Sequence, residues 1–208
     1  LFVNGGMVYY ENYVDYGRMK EPDKAPRKHQ GLKNFGKKGL IIVHTGHGKG
    51  KSTAAFGTAI RAIGTGYKVA IVQFIKGSWK TGEVKFFRSL KGQCQIFTIG
   101  DGFTWDTKSF EHDCETAQRA WKKCCELLCD KEHQLVIFDE INYAIHYNFL
   151  DVAEVILQLK QKPPLKHVIL TGNPAAPELI DLADLVTEMK CIKHPYNSGI
   201  IAQAGIEY

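Results

Sequence analysis

The chain has 208 residues, 44% hydrophobic and 24% charged, which is enough for one domain with a full core and too little for two large ones. No run approaches the roughly eighteen apolar residues of a membrane span, and the N-terminus lacks a secretion-signal pattern, so a cytoplasmic setting without membrane contact is expected. The formal net charge of +5 lies almost wholly in residues 1–39, which hold eight Lys/Arg against four Asp/Glu; this basic arm contains two prolines and no repeated basic face, which argues against a nucleic-acid partner.

The arm comes first. Residues 1–6 read as additions ahead of a natural start at Met7, and the rest of 1–39 as a solvated or docking segment in which "YYENYVDY" offers aromatic and apolar contacts. From residue 40 the pattern alternates, giving a single domain over 40–208. "LIIVHT" (40–45) is the continuous apolar run of a buried parallel strand. A glycine turn leads into the helical "KSTAAFGTAIRAIG", which stops at Gly64. Strands follow at 68–76, 94–100, 134–140 and 167–172, with a sixth in "LVTEMKCI". Helices are predicted in "TGEVKFFRSL", over 110–132, over 149–161 until Pro163 and Pro164 stop it, and in "PELIDLAD". Alternation of this kind predicts an α/β fold: a parallel sheet of about six strands with helices on both faces, of the P-loop NTPase-like type.

That last qualification comes from "TGHGKGKS" (45–52), which ends the first strand and opens the first helix. Backbone N–H groups at Gly46, Gly48 and Gly50 can wrap phosphate oxygens because no Cβ obstructs them. The helix N-terminus adds partial positive charge, Lys51 a full one, and the Ser52 hydroxyl can hold Mg²⁺. The nucleotide-binding set is therefore Thr45, Gly46, His47, Gly48, Lys49, Gly50, Lys51, Ser52 and Thr53, with Thr45 standing where the plain pattern has a glycine. "LVIFDE" (135–140) ends a strand in two carboxylates, at the edge where open parallel sheets bind ligands. Asp139 and Glu140 are expected to bind Mg²⁺ directly or through water, together with Ser52.

The six cysteines, three of them clustered at 124, 125 and 129, complete no zinc spacing and read as reduced thiols. His44, His47, His146 and His194 form no metal spacing either. Two glycines and two aromatics in "GDGFTWDT" (100–107) pose a separate question, because a loop has little use for Phe103 and Trp105 unless they touch something. An ordinary ATPase or small-molecule kinase stabilises γ-phosphate transfer with arginines. This chain has only five, at 18, 27, 61, 88 and 119, and none follows the acidic strand end.

"TGHGKGKSTAAFGTAIRAIGTGYKVAIVQFIKG", "GDGFTW", "FDEINYA", "LIDLADLVTEM" and "KHPYNSGIIAQAGIEY" together resemble the ATP:corrinoid adenosyltransferases of cobalamin biosynthesis, over roughly residues 40–208. The resemblance implies that cobalt(I) of a reduced corrinoid attacks C5′ of ATP, releasing triphosphate, with Lys51 and Glu140 as the catalytic residues. It implies Mg²⁺, a homodimer in which an N-terminal segment covers the partner's corrinoid site, and a flavoprotein reductase as electron donor. Phe103 and Trp105 match an aromatic pair that packs under the corrin and excludes the lower axial ligand of cobalt(II), easing its reduction. Two positions depart from the family pattern: His47 replaces an Asn, and Asn173 replaces an Arg that commonly follows the glycine of "TGNPAAPEL". The remaining alternative is a P-loop ATPase or small-molecule kinase.

Overall fold

Residues 36–74, 81–100 and 109–207 are described in the computed structural model. The apolar run after the arm forms strand β1, Ile41–Thr45, and helix α1 follows at Lys51–Gly64. The chain continues through β2 Val69–Gln73, α2 Gly82–Ser89, β3 Cys94–Thr98, α3 Phe110–Cys129 and β4 Leu135–Asp139. It ends with α4 Ile141–His146, α5 Val152–Gln161, β5 His167–Thr171, α6 Pro177–Leu182, β6 Leu185–Glu188 and a 3-10 turn at Pro195–Ser198. The six strands form one parallel sheet in the order β3-β2-β4-β5-β1-β6.

Alternation of side chains across the pleat explains why the strands are apolar throughout. Val69, Ile71, Leu135, Ile137 and Ile169 face one side and pack with Ala55, Phe56 and Ala59 of α1 and Phe87 of α2. Ala70, Val72, Val136, Phe138, Val168 and Leu170 face the other, against Ala120 and Trp121 of α3, Val155 and Leu159 of α5, and Leu179 of α6. Helices therefore cover both faces, as the alternation of elements predicts.

Element boundaries follow local chemistry. Ser109 Oγ accepts from the His112 N–H and Asp151 Oδ1 from the Ala153 N–H, so α3 and α5 each start on a side-chain cap. Helix α3 ends at Cys129 instead of running to residue 132, because Asp130 turns to extended backbone. Strand β6 stops at Glu188, short of the expected 192. Its next residue is held by β1 and by the loop that follows it, the Met189 N–H donating to Thr45 O at 2.7 Å and the Met189 carbonyl accepting from the Gly48 N–H at 2.6 Å. Helix α4 has no counterpart in the sequence reading, since six residues are too few to display a helical period.

The C-terminal end of α3 is closed by a lysine from a distant segment. Lys166, only 4% exposed, donates to the carbonyls of Leu127 and Asp130 and to Asp130 Oδ1, the last two at 2.7 and 2.9 Å. A cation at a helix C-terminus satisfies orphan carbonyls and complements the dipole. Burial alone would raise the Asp130 carboxyl, but donation from the His133 N–H and from Lys166 outweighs it and holds the pKa at about 2. A depressed carboxylate contributes stability above its ordinary value of 3.8 and loses it as pH falls toward about 2. Lys166→Met is expected to destabilise by about 1.5–3 kcal/mol, the range for a hydrogen bond to a charged group. Denaturant titrations at pH 7 and pH 3 check this, and the deficit is expected to be smaller at the lower pH.

Candidate nucleotide site

The site sits at the C-terminal ends of β1, β4 and β5, where all three strands point their last residues. Gly46–Gly50 connects β1 to α1, and Gly50 caps the helix in the left-handed region at φ 112°, a conformation that suits glycine. Gly46 also has positive φ, 95°, and a Cβ there would lie 2.5 Å from the Met189 carbonyl oxygen. The loop is thus wedged against the segment after β6, and only its glycines allow that approach. This leaves the start of α1, with Ser52 in its first turn, as a natural anion seat.

Lys51 folds back over this loop. Its Nζ donates to the carbonyls of Gly46 and Gly48 at 2.8 and 2.9 Å. Burial lowers the pKa of the ammonium from its ordinary value, and the negative charge of Glu140 opposes that shift. Lysine, loop and carboxylate are therefore one electrostatic unit. Lys49, in the same loop, is exposed and ion-paired with Glu207 near the C-terminus. That contact ties Glu207 to the phosphate loop, and nothing in the sequence reading assigned it a purpose.

The two carboxylates of β4 have separate situations. Asp139 is fully buried; its Oδ1 accepts from Thr171 Oγ1 at 2.8 Å and its Oδ2 from Gln73 Nε2 at 3.0 Å. Thr171 Oγ1 in turn accepts from the Glu140 N–H at 2.9 Å. Asp139 thereby fastens β2, β4 and β5 together and fixes the backbone of its neighbour. Glu140 is held at φ 67°, one of two non-glycine residues with positive φ among the described residues. A strained backbone of this kind persists where surrounding bonds over-determine it, and such positions cluster at functional sites. Asn142, also fully buried, donates from Nδ2 to the Gly172 carbonyl at 3.0 Å. It joins the acidic strand end to the loop after β5.

That loop completes the site through Asn173. Its Oδ1 accepts from the Gly46 N–H at 3.0 Å, and its Nδ2 lies 3.2 Å from His47 Nδ1. Thr45 Oγ1 accepts from the Ala175 N–H at 3.0 Å. The structure therefore gathers Thr45, Gly46, His47, Gly48, Lys49, Gly50, Lys51, Ser52, Asp139 and Glu140 at one end of the sheet, with Thr53 exposed in the first turn of α1. Phe103 and Trp105 lie outside the described residues. Sequence reasoning missed Gln73, Asn142 and Thr171, whose polar side chains in apolar strand or helix contexts were the available signal, and the Met189 carbonyl, which leaves no signal in a side chain.

Among the described residues no group of three or more His, Cys, Asp or Glu side chains is placed to hold a metal ion. All six cysteines are free thiols. Burial pushes Cys94 up to about 12, and burial followed by nearby negative charge pushes Cys125 up to about 11, so these are inert at neutral pH. His194 Nδ1 accepts from the Tyr196 N–H at 3.1 Å and caps the 3-10 turn. No helix among the described residues is long and apolar enough to cross a membrane.

Residues 37–208 match the family described as ATP:corrinoid adenosyltransferase BtuR/CobO/CobP. The chain is 50% identical over 187 residues to a corrinoid adenosyltransferase of Sinorhizobium sp, covering 89% of this chain and 87% of that one. It is 43% identical over 171 residues to a corrinoid adenosyltransferase of Pseudomonas aeruginosa, covering 82% and 84%. A third relative, the corrinoid adenosyltransferase CobA of Salmonella typhimurium, is 42% identical over 171 residues, covering 82% and 86%.

Proposed function

The chain belongs to the ATP:corrinoid adenosyltransferase family, and we propose that its phosphate loop, Lys51 and Glu140 direct transfer of the 5′-deoxyadenosyl group of ATP to cobalt(I) of a reduced corrinoid. The step needs no proton transfer. The cobalt(I) electron pair forms the new cobalt–carbon bond to C5′, the C5′–O bond breaks, and its electron pair leaves with triphosphate. Catalysis then consists of positioning and of stabilising charge on the leaving group. The observation that carries this reading is the placement of Lys51, 2.8–2.9 Å from two loop carbonyls and within the field of Glu140. No arginine is engaged at the described site, as γ-phosphoryl transfer would favour.

The backbone N–H groups of the loop and the α1 N-terminus bind the triphosphate in this account, and Lys51 moves from the loop carbonyls to a phosphate oxygen. Hard oxygen donors suit Mg²⁺, and the pair available is the Ser52 hydroxyl and the Glu140 carboxylate. Asp139, with both oxygens held by Gln73 and Thr171, supports Glu140 and acts on the ion through solvent. When bound, Mg²⁺ would neutralise charge developing on the triphosphate. Phe103 and Trp105 are proposed to exclude the lower axial ligand of the corrinoid during reduction by a flavoprotein. The proposed setting is the cytoplasm, consistent with six free thiols.

Product analysis separates this from the kinase or ATPase reading. With reduced corrinoid and ATP, intact triphosphate is expected; ADP or orthophosphate as the first product would reject the assignment.

A homodimer is proposed, with the N-terminal arm acting at the corrinoid site of the partner. Deleting residues 1–38 is expected to raise the corrinoid KM severalfold while leaving the ATP KM within about twofold, less than 0.5 kcal/mol. Steady-state kinetics of the folded truncated protein check this, and unchanged constants for both substrates would remove the arm from the site.

A further inference from the structure

Thr45, His47 and Asn173 are three residues that depart from the expected pattern, and in the structure they meet in one hydrogen-bonded cluster. A backbone N–H can only donate, so the Asn173 atom 3.0 Å from the Gly46 nitrogen is the amide oxygen. The Thr45 hydroxyl reaches the same oxygen at 3.5 Å, while its own oxygen accepts from the Ala175 N–H. The other end of the amide is therefore the NH₂ group, and it lies 3.2 Å from His47 Nδ1. An amide NH₂ also only donates. His47 Nδ1 must accept, and the proton of the neutral ring sits on Nε2. The tautomer thus follows from a chain of obligate donors that starts at the backbone.

We propose that the His47 side chain is itself a triphosphate ligand, held by Asn173 in the tautomer that presents Nε2–H to a phosphate oxygen. Its flanking residues Gly46 and Gly48 supply the two carbonyls that Lys51 reaches, so imidazole and ammonium serve the same turn. Thr45, Gly46 and Gly48 are buried, whereas His47 is exposed, and its ring is not used to fill the core. Lys49, the other cation of the loop, is paired with Glu207, and Asn173 brings no charge. A donor at His47 Nε2 compensates in part. Asn173 is a positioning residue that acts through the ring.

This rests on the nucleotide reading above, and the test keeps the two apart. Calorimetric titration of the full chain with inorganic triphosphate and with ATP, without corrinoid, measures the site alone. His47→Ala is expected to weaken triphosphate binding about tenfold, the lower end for a hydrogen bond to a charged group. His47→Gln, which keeps a side-chain NH₂ donor, is expected to recover to within about threefold of the original. A long-range proton–nitrogen NMR spectrum of the histidine rings is expected to show His47 protonated on Nε2, and a mixture of tautomers in Asn173→Ala. Equal triphosphate affinity in His47→Ala and the parent chain, or a His47 proton on Nδ1, would overturn the inference while leaving the nucleotide site standing. A parent chain that binds neither ATP nor triphosphate would instead overturn both.

Discussion

Lys51→Ala is expected to lower the rate of adenosyl transfer by at least a hundredfold at saturating ATP, with little change in stability. The ammonium donates to its own loop, through the carbonyls of Gly46 and Gly48, so among the described residues its removal breaks no hydrogen bond to the sheet. Gly46 and Gly48 are buried, but Lys51 is only half-buried, so water can enter the space the ammonium leaves and replace the lost donor. The catalytic loss is different in kind. In the proposed reaction triphosphate leaves with a growing negative charge, and Lys51 would stabilise that charge more in the transition state than in bound ATP. Loss of a single preorganised donor at such a centre typically costs about 10²–10³ in kcat. Single-turnover kinetics beside a thermal midpoint measure both effects. A rate near that of the parent chain would remove Lys51 from the mechanism.

The double replacement Phe103→Ala/Trp105→Ala is expected to produce a loss that depends on the reductant. If the aromatic pair excludes the lower axial ligand, its removal lets water or the corrinoid's own base coordinate cobalt(II). Reduction by a mild flavin donor is then expected to fail. Chemically pre-reduced cobalt(I) already lacks strong axial ligands and should still be adenosylated at a substantial rate, since the phosphate loop is untouched. Aromatics that merely hold the fold behave otherwise. Truncating buried aromatic side chains costs about 3–5 kcal/mol, which lowers activity equally with both reductants and depresses the thermal midpoint. Activity with each reductant, set beside that midpoint, distinguishes the two. Equal loss with a sharply lowered midpoint would contradict the wedge.

The sheet was legible because its four inner strands, β2, β4, β5 and β1, are buried on both faces. Runs such as "LVIF" in β4 leave no polar alternation to confuse with an exposed strand, and Gly64 and Pro163 mark the ends of α1 and α5. The phosphate loop was legible because three glycines precede Lys-Ser between a strand and a helix, an arrangement that few other structures require. What sequence spacing could not supply was the set of partners from distant segments. Asn173 lies 127 residues from Gly46, and Glu207 lies 158 from Lys49; no local period joins them. The difference between Asp139 and Glu140 was hidden for the same reason. As neighbours in "FDE" they look equivalent, yet Gln73 and Thr171 take up both oxygens of the first and leave the second in the field of Lys51.

Strain at Glu140 adds a physical reason for that division. A carboxylate at the end of an ordinary strand would continue the alternation and turn away from the loop. The bond from its N–H to Thr171 Oγ1 and its left-handed backbone interrupt the alternation at the point where α4 begins. The cost of such a conformation, of order 1–3 kcal/mol, is borne by the buried Asp139–Thr171–Gln73 network. The fold thus places this buried polar network directly behind the residue proposed to hold the metal.

The proposed nucleophile is the corrinoid's cobalt(I), acting on ATP at C5′. Reduced cobalamin mixed anaerobically with the protein and MgATP tests it directly, by following the cobalt(I) absorption band. The band is expected to disappear only when both protein and ATP are present, with one triphosphate released for each cobalt–carbon bond formed. Persistence of the cobalt(I) band while ATP is consumed to ADP or orthophosphate would contradict it.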